Sequence, residues 1–263
     1  MESKKKKEWI DRMDIYGDGD EWSSSSLNYD RIIHDELSSD KPKKWQKRIL
    51  AQSNKSGKLK ILDIGCGPGF FTIILASAGH ELTAVDGADG MLEKARKNMA
   101  DYKINADIVQ MDCLKMDFPD DTFDMVVSRN VTHSLKDHVQ AYSEWKRVLK
   151  PGGVLLIYDA NWHLTLQPGP MREEYLRDAV ECIKRFGSDF TGHTDPEFSI
   201  EKFELVQTHI LKDLHRPDWD MGILQALGYR EISTERDITE EMWDEKEKLI
   251  YRTTPMFQIR AVK

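Results

Sequence analysis

From residue 58 onward the chain alternates short apolar runs with apolar residues at helical spacing. Residues 60–64 form an apolar run that ends in a glycine-rich turn, which predicts a first strand. Residues 70–78 read as a helix closed by Gly79, a residue that tolerates the left-handed C-terminal position. Residues 81–86 form a second strand, and Asp89 is placed to cap a helix carrying Met91, Leu92, Ala95 and Met99 on one face. Residues 106–111 predict a third strand. The Pro119-Asp120-Asp121 turn introduces a fourth at 123–128. Asp137 can cap a helix with an inner stripe of Val139, Tyr142, Trp145 or Lys146, and Leu149, and a fifth strand follows at 154–158.

Strand then helix, repeated, means parallel strands joined by crossovers, with helices on both faces. The expected fold is therefore α/β, a doubly wound Rossmann-like sheet, whose ligands sit at the carboxyl ends of the strands. The flanks differ. Residues 1–57 are polar and studded with aromatics; Trp9, Met13 and Tyr16 recur at helical spacing, as do Trp45, Ile49 and Leu50, with a polar loop expected at Ser23–Ser26. Residues 160 to about 216 break the rhythm and hold a helix at 171–186. Pro217 opens another helix, ended by Gly228, and residues 229–238 and 256–262 read as two last strands pairing antiparallel. The expected organisation is a helical lid over 1–57 and one domain over 58–263, with an insertion at about 160–216.

Composition narrows the classes. A 263-residue chain that is 40% hydrophobic can bury one sizeable core. A net charge of −8 argues against gripping a nucleic-acid backbone, which needs a basic surface. The one basic run, Lys4 to Lys7, reads as a solvated helix start. Three widely spaced cysteines indicate neither a disulfide framework nor a zinc site. No signal-peptide core is present and no stretch approaches the ~18 apolar residues of a membrane span, so a cytoplasmic setting without membrane attachment is expected.

The strongest chemical signal is Asp63-Ile64-Gly65-Cys66-Gly67-Pro68-Gly69, between a strand and a helix. Glycines there allow a sharp turn and close approach of a ligand. A dinucleotide fingerprint would need a small residue at position 70, where Phe70 stands, and the carboxylate of Asp63 is poor company for a pyrophosphate. It suits a ligand carrying an amino group and a sulfonium. Asp86 ends the second strand, about twenty residues beyond the first glycine, where an acid accepts from ribose hydroxyls. Asp112 ends the third, where an acid can meet an adenine amino group.

Together with Phe118 to Asp124 and Arg147 to Gly153, these motifs resemble the class I S-adenosylmethionine-dependent methyltransferases, from about Leu59 to Asp159. The resemblance implies a seven-stranded sheet with an antiparallel last strand, in agreement with the two strands read at the C-terminal end. It implies S-adenosyl-L-methionine as cofactor and S-adenosyl-L-homocysteine as product. Gly65, Cys66 and Gly67 would pass close to the methionine part, with Asp63 near its amino group; Asp86 and Gly87 would hold the ribose. Met91, Asp112 and Cys113 would meet the adenine, and Ser128, Arg129 and Asn130 would lie beside the transferring methyl. Trp9 and Tyr16 look like the lead-in of many small-molecule members and would close over the cofactor. One departure matters. DNA adenine and glutamine methyltransferases carry Asn or Asp followed by Pro-Pro-Tyr after the fourth strand; here the chain reads Ser128-Arg129-Asn130-Val131-Thr132-His133, which disfavours amide or exocyclic base-amine acceptors.

Methyl transfer from a sulfonium is an in-line displacement, so alignment dominates and a base helps only when the acceptor carries a proton. His133 is the candidate base, with pocket lining as its alternative role. Thr132, Asn161, Trp162 and His163 are candidate acceptor-pocket residues. His163, His193, His209 and His215 are too scattered for metal ligands, so no metal is expected. The expected partner is a small-molecule methyl acceptor whose reacting atom, N, O, S or C, the sequence leaves open. Alternatives are a protein or RNA methyltransferase, a non-catalytic cofactor-binding protein and, least favoured by Phe70 and Asp63, a nicotinamide oxidoreductase.

Overall fold

The structure is a computed structural model that describes residues 19–187, 211 and 214–263. Trp9 and Tyr16 lie outside the described residues, as do His193 and His209. Helices α1 (Gly19–Leu37) and α2 (Lys41–Leu50) lead into β1 (Lys60–Ile64), α3 (Phe70–Ser77), β2 (Glu81–Asp86), α4 (Asp89–Asp101), β3 (Asp107–Gln110) and β4 (Phe123–Arg129). Then come α5 (His138–Val148), β5 (Leu149–Asp159), α6 (Pro170–Phe186), α7 (Asp218–Ala226), β6 (Arg230–Glu235), the short α8 (Thr239–Met242) and α9 (Glu245–Ile250), and β7 (Phe257–Val262).

The seven strands form one sheet in the order β3-β2-β1-β4-β5-β7-β6. Strands β1 to β5 run parallel, and β7 runs antiparallel to both β5 and β6. The strand order reverses between β1 and β4, which opens a crevice at their carboxyl ends. Alternate residues of the central strands feed two cores, one per face. Ile61, Met125, Val127, Leu156 and Tyr158 pack with Trp45 and Phe71 on one side. Leu62, Val126, Leu155 and Ile157 pack with Tyr142 and Trp145 on the other. Each of these fully buried side chains contributes roughly 1.5–3 kcal/mol relative to exposure.

Three local expectations fail for tertiary reasons. Ser23–Ser26 is not a loop but part of α1, whose Ser23 backbone packs so closely on α4 that a Cβ on Gly90 would stand 2.8 Å from it. Asp89 does not cap α4; Ala88 occupies that position, and Asp86 Oδ1 accepts the Ala88 N–H at 2.9 Å. Helix α5 buries His138, Ala141, Tyr142, Trp145 and Val148 and leaves Val139 53% exposed. Leu149 is buried because it begins β5, so counting it into the helical stripe put the register one residue off. Asp137 caps α5 as expected, accepting the Gln140 N–H at 2.9 Å. Among the described residues no helix is long and apolar enough to cross a membrane.

Candidate functional site

The turn after β1 takes a path that glycine alone adopts without strain: Gly65, Gly67 and Gly69 have φ of 64°, 52° and 99°. Gly65 and Cys66 N–H groups both donate to the Val85 carbonyl, at 2.8 and 3.0 Å, and pin the turn to β2. Asp86 Oδ2 accepts the Gly67 N–H at 2.9 Å while Oδ1 accepts Ala88. One carboxylate thus ties two loops together and, having about four lone-pair sites, retains acceptor capacity for ligand hydroxyls. Burial raises its pKa, opposed by the Ala88, Gly67 and Gly87 amides. Above Gly67 the space is open: a Cβ there would meet only Met91 Sδ, at 4.0 Å. Asp63 is buried beneath the turn, where Thr72 Oγ1 donates to it at 2.7 Å. Burial pushes its pKa up to about 6, against the pull of Thr72 and the nearby Arg129.

Beside β2, Met111 N–H joins the Asp86 carbonyl at 3.0 Å, which brings Asp112 and Cys113 to the same edge. Asp112 is exposed and accepts the Leu114 N–H at 2.9 Å. Burial raises the Cys113 thiol to about 12 and lifts Cys66 well above its ordinary range, so neither is a reactive thiolate. On β4, Ser128 stands next to Ile64 and its buried hydroxyl has no partner among the described residues. Asn130 turns the chain with φ of 57°. Arg129 is not free to meet a ligand carboxylate: it makes a bidentate pair with Glu36 of α1 at 3.0 and 2.8 Å, over the ring of Phe70 at 4.6 Å. Helix α1 is further tied to this edge. Ser23 Oγ accepts the Gly90 N–H at 3.0 Å, and Asn98 Nδ2 donates to Asp30 at 2.8 Å and to the Pro68 carbonyl at 3.1 Å.

Beyond β4 and β5 the construction changes from backbone to side chains. Asp159, with no solvent exposure, ends β5. Its Oδ2 accepts Thr132 Oγ1 at 2.6 Å and the His133 N–H at 2.8 Å. Its Oδ1 accepts the Ala160 N–H at 2.8 Å and Trp162 Nε1 at 3.0 Å, and meets His133 Nδ1 at 3.0 Å. Arg216, also fully buried, donates to Asp159 at 3.4 Å, to Asp220 at 2.8 and 2.9 Å, and to Thr132 Oγ1. Tyr142 hydroxyl donates to the same Asp220. Burial alone would raise the Asp159 pKa; His133 and Arg216 more than offset it and hold the carboxyl far below its usual range. Burial, then Arg216, push His138 down to about 4, leaving a neutral ring that donates to the Thr132 carbonyl at 2.7 Å.

The sequence-derived acceptor residues gather around this carboxylate, several of them with their polar atoms engaged. Trp162 gives its indole N–H to Asp159 and packs edge-on against Tyr251 at 5.1 Å. Asn161 Nδ2 donates to the Arg216 carbonyl at 3.1 Å, and His163 is buried. Asp159, Arg216, Asp220, Tyr142 and Glu36 were missed. Asp159 carried a usable signal, an acid ending a strand like Asp63 and Asp86; the others lie far apart in the chain. A separate open cleft of about 460 Å³ lies at the opposite, amino edge of the sheet, lined by Lys60, Thr83, Phe118 and Phe123. It lacks the convergent glycine and carboxylate chemistry of the carboxyl edge, which we take as the site.

The donor set fits S-adenosylmethionine. Carboxylates suit a ligand with an ammonium, a sulfonium and a ribose diol; Gly67 offers open space, and Ser128 an unspent hydroxyl. Residues 62–157 match the family described as Methyltransferase domain. Over that stretch, the strands, the glycine turn and its flanking carboxylates, the chain is similar to methyltransferase domains. A demethylmenaquinone methyltransferase of Staphylococcus aureus is 32% identical over 139 residues, 52% of this chain and 57% of the relative. The chain thus spans little more than half the length of such relatives. Solved structures share the fold. A Methanococcus maripaludis protein assigned to the S-adenosyl-L-methionine-dependent methyltransferases aligns with TM-score 0.59 at 23% identity, covering 92% of this chain and 93% of its own. A Haemonchus contortus phosphoethanolamine N-methyltransferase, in complex with its phosphomonomethylethanolamine ligand and S-adenosylhomocysteine, aligns with TM-score 0.56 at 20% identity, covering 83% and 52%. No group of metal-binding side chains occurs among the described residues.

Proposed function

We propose that this protein transfers a methyl group from S-adenosylmethionine to a small-molecule acceptor in the cytoplasm. The observation that carries the reading is the carboxylate clamp on the glycine turn, Asp86 holding Gly67 N–H at 2.9 Å with open space above Gly67. Asp63, Gly65, Cys66 and Gly67 serve the methionine portion; Asp86 and Gly87 the ribose; Met91, Asp112 and Cys113 the adenine. Ser128, Arg129 and Asn130 border the methyl, Arg129 by anchoring α1 through Glu36. Bound there, S-adenosylmethionine would supply a methyl group already activated by its sulfonium. The protein's work is to align the acceptor and exclude water, which together supply about 7–11 kcal/mol of barrier lowering.

Thr132, His133, Asn161, Trp162 and His163 border the acceptor, with His133 as its base. Residues 1–57 act as the lid, whose described part is already tied across the site by α1. The net charge of −8 supports a small molecule over RNA, and the relatives named above are named for small acceptors. The test supplies methyl-labelled S-adenosylmethionine with separate low-molecular-weight, RNA and protein fractions of a cell extract. Label is expected in the low-molecular-weight fraction; label confined to RNA or protein would overturn the small-molecule assignment.

A further inference from the structure

His133 is held at two points by one carboxylate. Its backbone N–H reaches Asp159 Oδ2 at 2.8 Å and its ring Nδ1 lies 3.0 Å from Oδ1. An ionised carboxylate only accepts, so Nδ1 must carry the proton, and the neutral ring has its lone pair on Nε2. The ring's hydrogen bond among the described residues is the one through Nδ1, and the side chain is 21% exposed. The groups that face this pair are Asp159 from β5 and Arg216 from the turn before α7. Behind them stand Asp220 of α7 and Tyr142 and His138 of α5. Lys136 and Asp137 are exposed on the His133 loop. Neutral His138 and the Tyr142 phenol bring no charge. Two buried carboxylates, Asp159 and Asp220, therefore share one guanidinium, Arg216.

We infer that Asp159 is a positioning residue: with Arg216 and Asp220 fixing it in place, it orients His133 as an Nδ1–H tautomer whose Nε2 removes a proton from the acceptor. The inference rests on the methyltransferase reading and names its substrate class. The acceptor's nucleophilic atom is one that carries a proton it must lose, such as a hydroxyl, a thiol or an acidic carbon. In the step, that proton passes to Nε2 and the acceptor's electron pair forms the new bond to the methyl carbon. The carbon–sulfur bond breaks with its pair remaining on sulfur as a neutral thioether. The imidazolium so formed lies against the Asp159 carboxylate, its Nδ1 3.0 Å from Oδ1. The arrangement follows the general logic of a base oriented by a third group.

The test reads the tautomer directly, without cofactor or acceptor. Histidine-15N-labelled protein is examined by long-range 1H–15N NMR, with His133→Gln assigning the signals. The expected result is a protonated Nδ1 and a bare Nε2 on neutral His133. Asp159→Asn, checked for folding by its melting curve, should shift the ring toward Nε2–H and lower kcat by about 10²–10⁴-fold on the labelled acceptor fraction, with KM little changed. A wild-type ring protonated on Nε2, or a tautomer unmoved in a folded Asp159→Asn, overturns the inference; the wild-type result decides even if the variant does not fold. A labelled product that is a permanent onium cation overturns the substrate class. Calorimetry with S-adenosylmethionine separates the two readings. Binding together with the wrong tautomer sinks only the dyad, whereas absence of binding sinks the methyltransferase reading.

Discussion

The two halves of the carboxyl edge are built by different means. Around β1 and β2 the site is backbone: glycine dihedrals, amides on Val85 and one carboxylate clamping the turn. Around β4 and β5 it is side chain: Thr132 and His133 from one turn, Trp162 from a second and Arg216 from a third converge on Asp159. A backbone cradle tolerates changes in most side chains and suits a ligand that never varies. A side-chain network can be re-cut residue by residue, which suits an acceptor that differs between relatives. The difference also sets what fails first. Strain in the cradle perturbs binding locally, whereas loss of one member of the network strands a buried charge.

The largest effect should therefore fall on the β5 side. Asp159→Ala leaves Arg216 buried with half its pairing and removes the acceptor for five donors, so urea denaturation should show a loss of about 3–5 kcal/mol. On the β1 side, Gly65→Ala places a Cβ 2.3 Å from Val131 Cγ2 at a φ of +64°. Backbone strain of roughly 1–2 kcal/mol, plus displacement of Val131, should weaken S-adenosylhomocysteine by at least about tenfold in calorimetry. Equal stability loss in both variants would erase the contrast.

A gentler probe is pH. Asp63 is raised from 3.8 to about 6, so between those pH values the folded protein holds a proton that the unfolded chain has lost. Its contribution to stability is greatest at low pH and declines as pH rises from near 4 to about 6, the opposite of a salt-bridged acid. Asp63→Asn should flatten that part of the stability profile. A cationic cofactor favours the carboxylate, so binding should weaken roughly tenfold for each unit below pH 6 and be constant above it, with proton release measurable between buffers. The smallest effect concerns α1. Glu36→Gln removes a charge-assisted pair with Arg129 and should cost about 1 kcal/mol, seen as faster amide exchange in α1 with little change in β1 and α3.

Legibility in the sequence follows the same division. Asp63, the glycines and Asp86 sit within one strand–turn–helix–strand stretch, so spacing alone exposed them, and the parallel sheet followed from its alternation. The serines of α1 misled, because their helix is decided by packing on Gly90 rather than by propensity. Arg216, with Asp220 paired to it, joins the Asp159 cluster only after the chain has folded it back onto a residue 57 positions away, a juxtaposition no local pattern records. The guanidinium of Arg129 pairs with Glu36, 93 residues away, which its place after β4 does not reveal.

The most direct measurement is calorimetric titration of the purified protein with S-adenosylmethionine, S-adenosylhomocysteine and NADH. The expected result is binding of the first two, with the product as tight or tighter, and none of NADH. Binding of NADH with neither of the others would contradict the assignment of the glycine turn and, with it, methyl transfer.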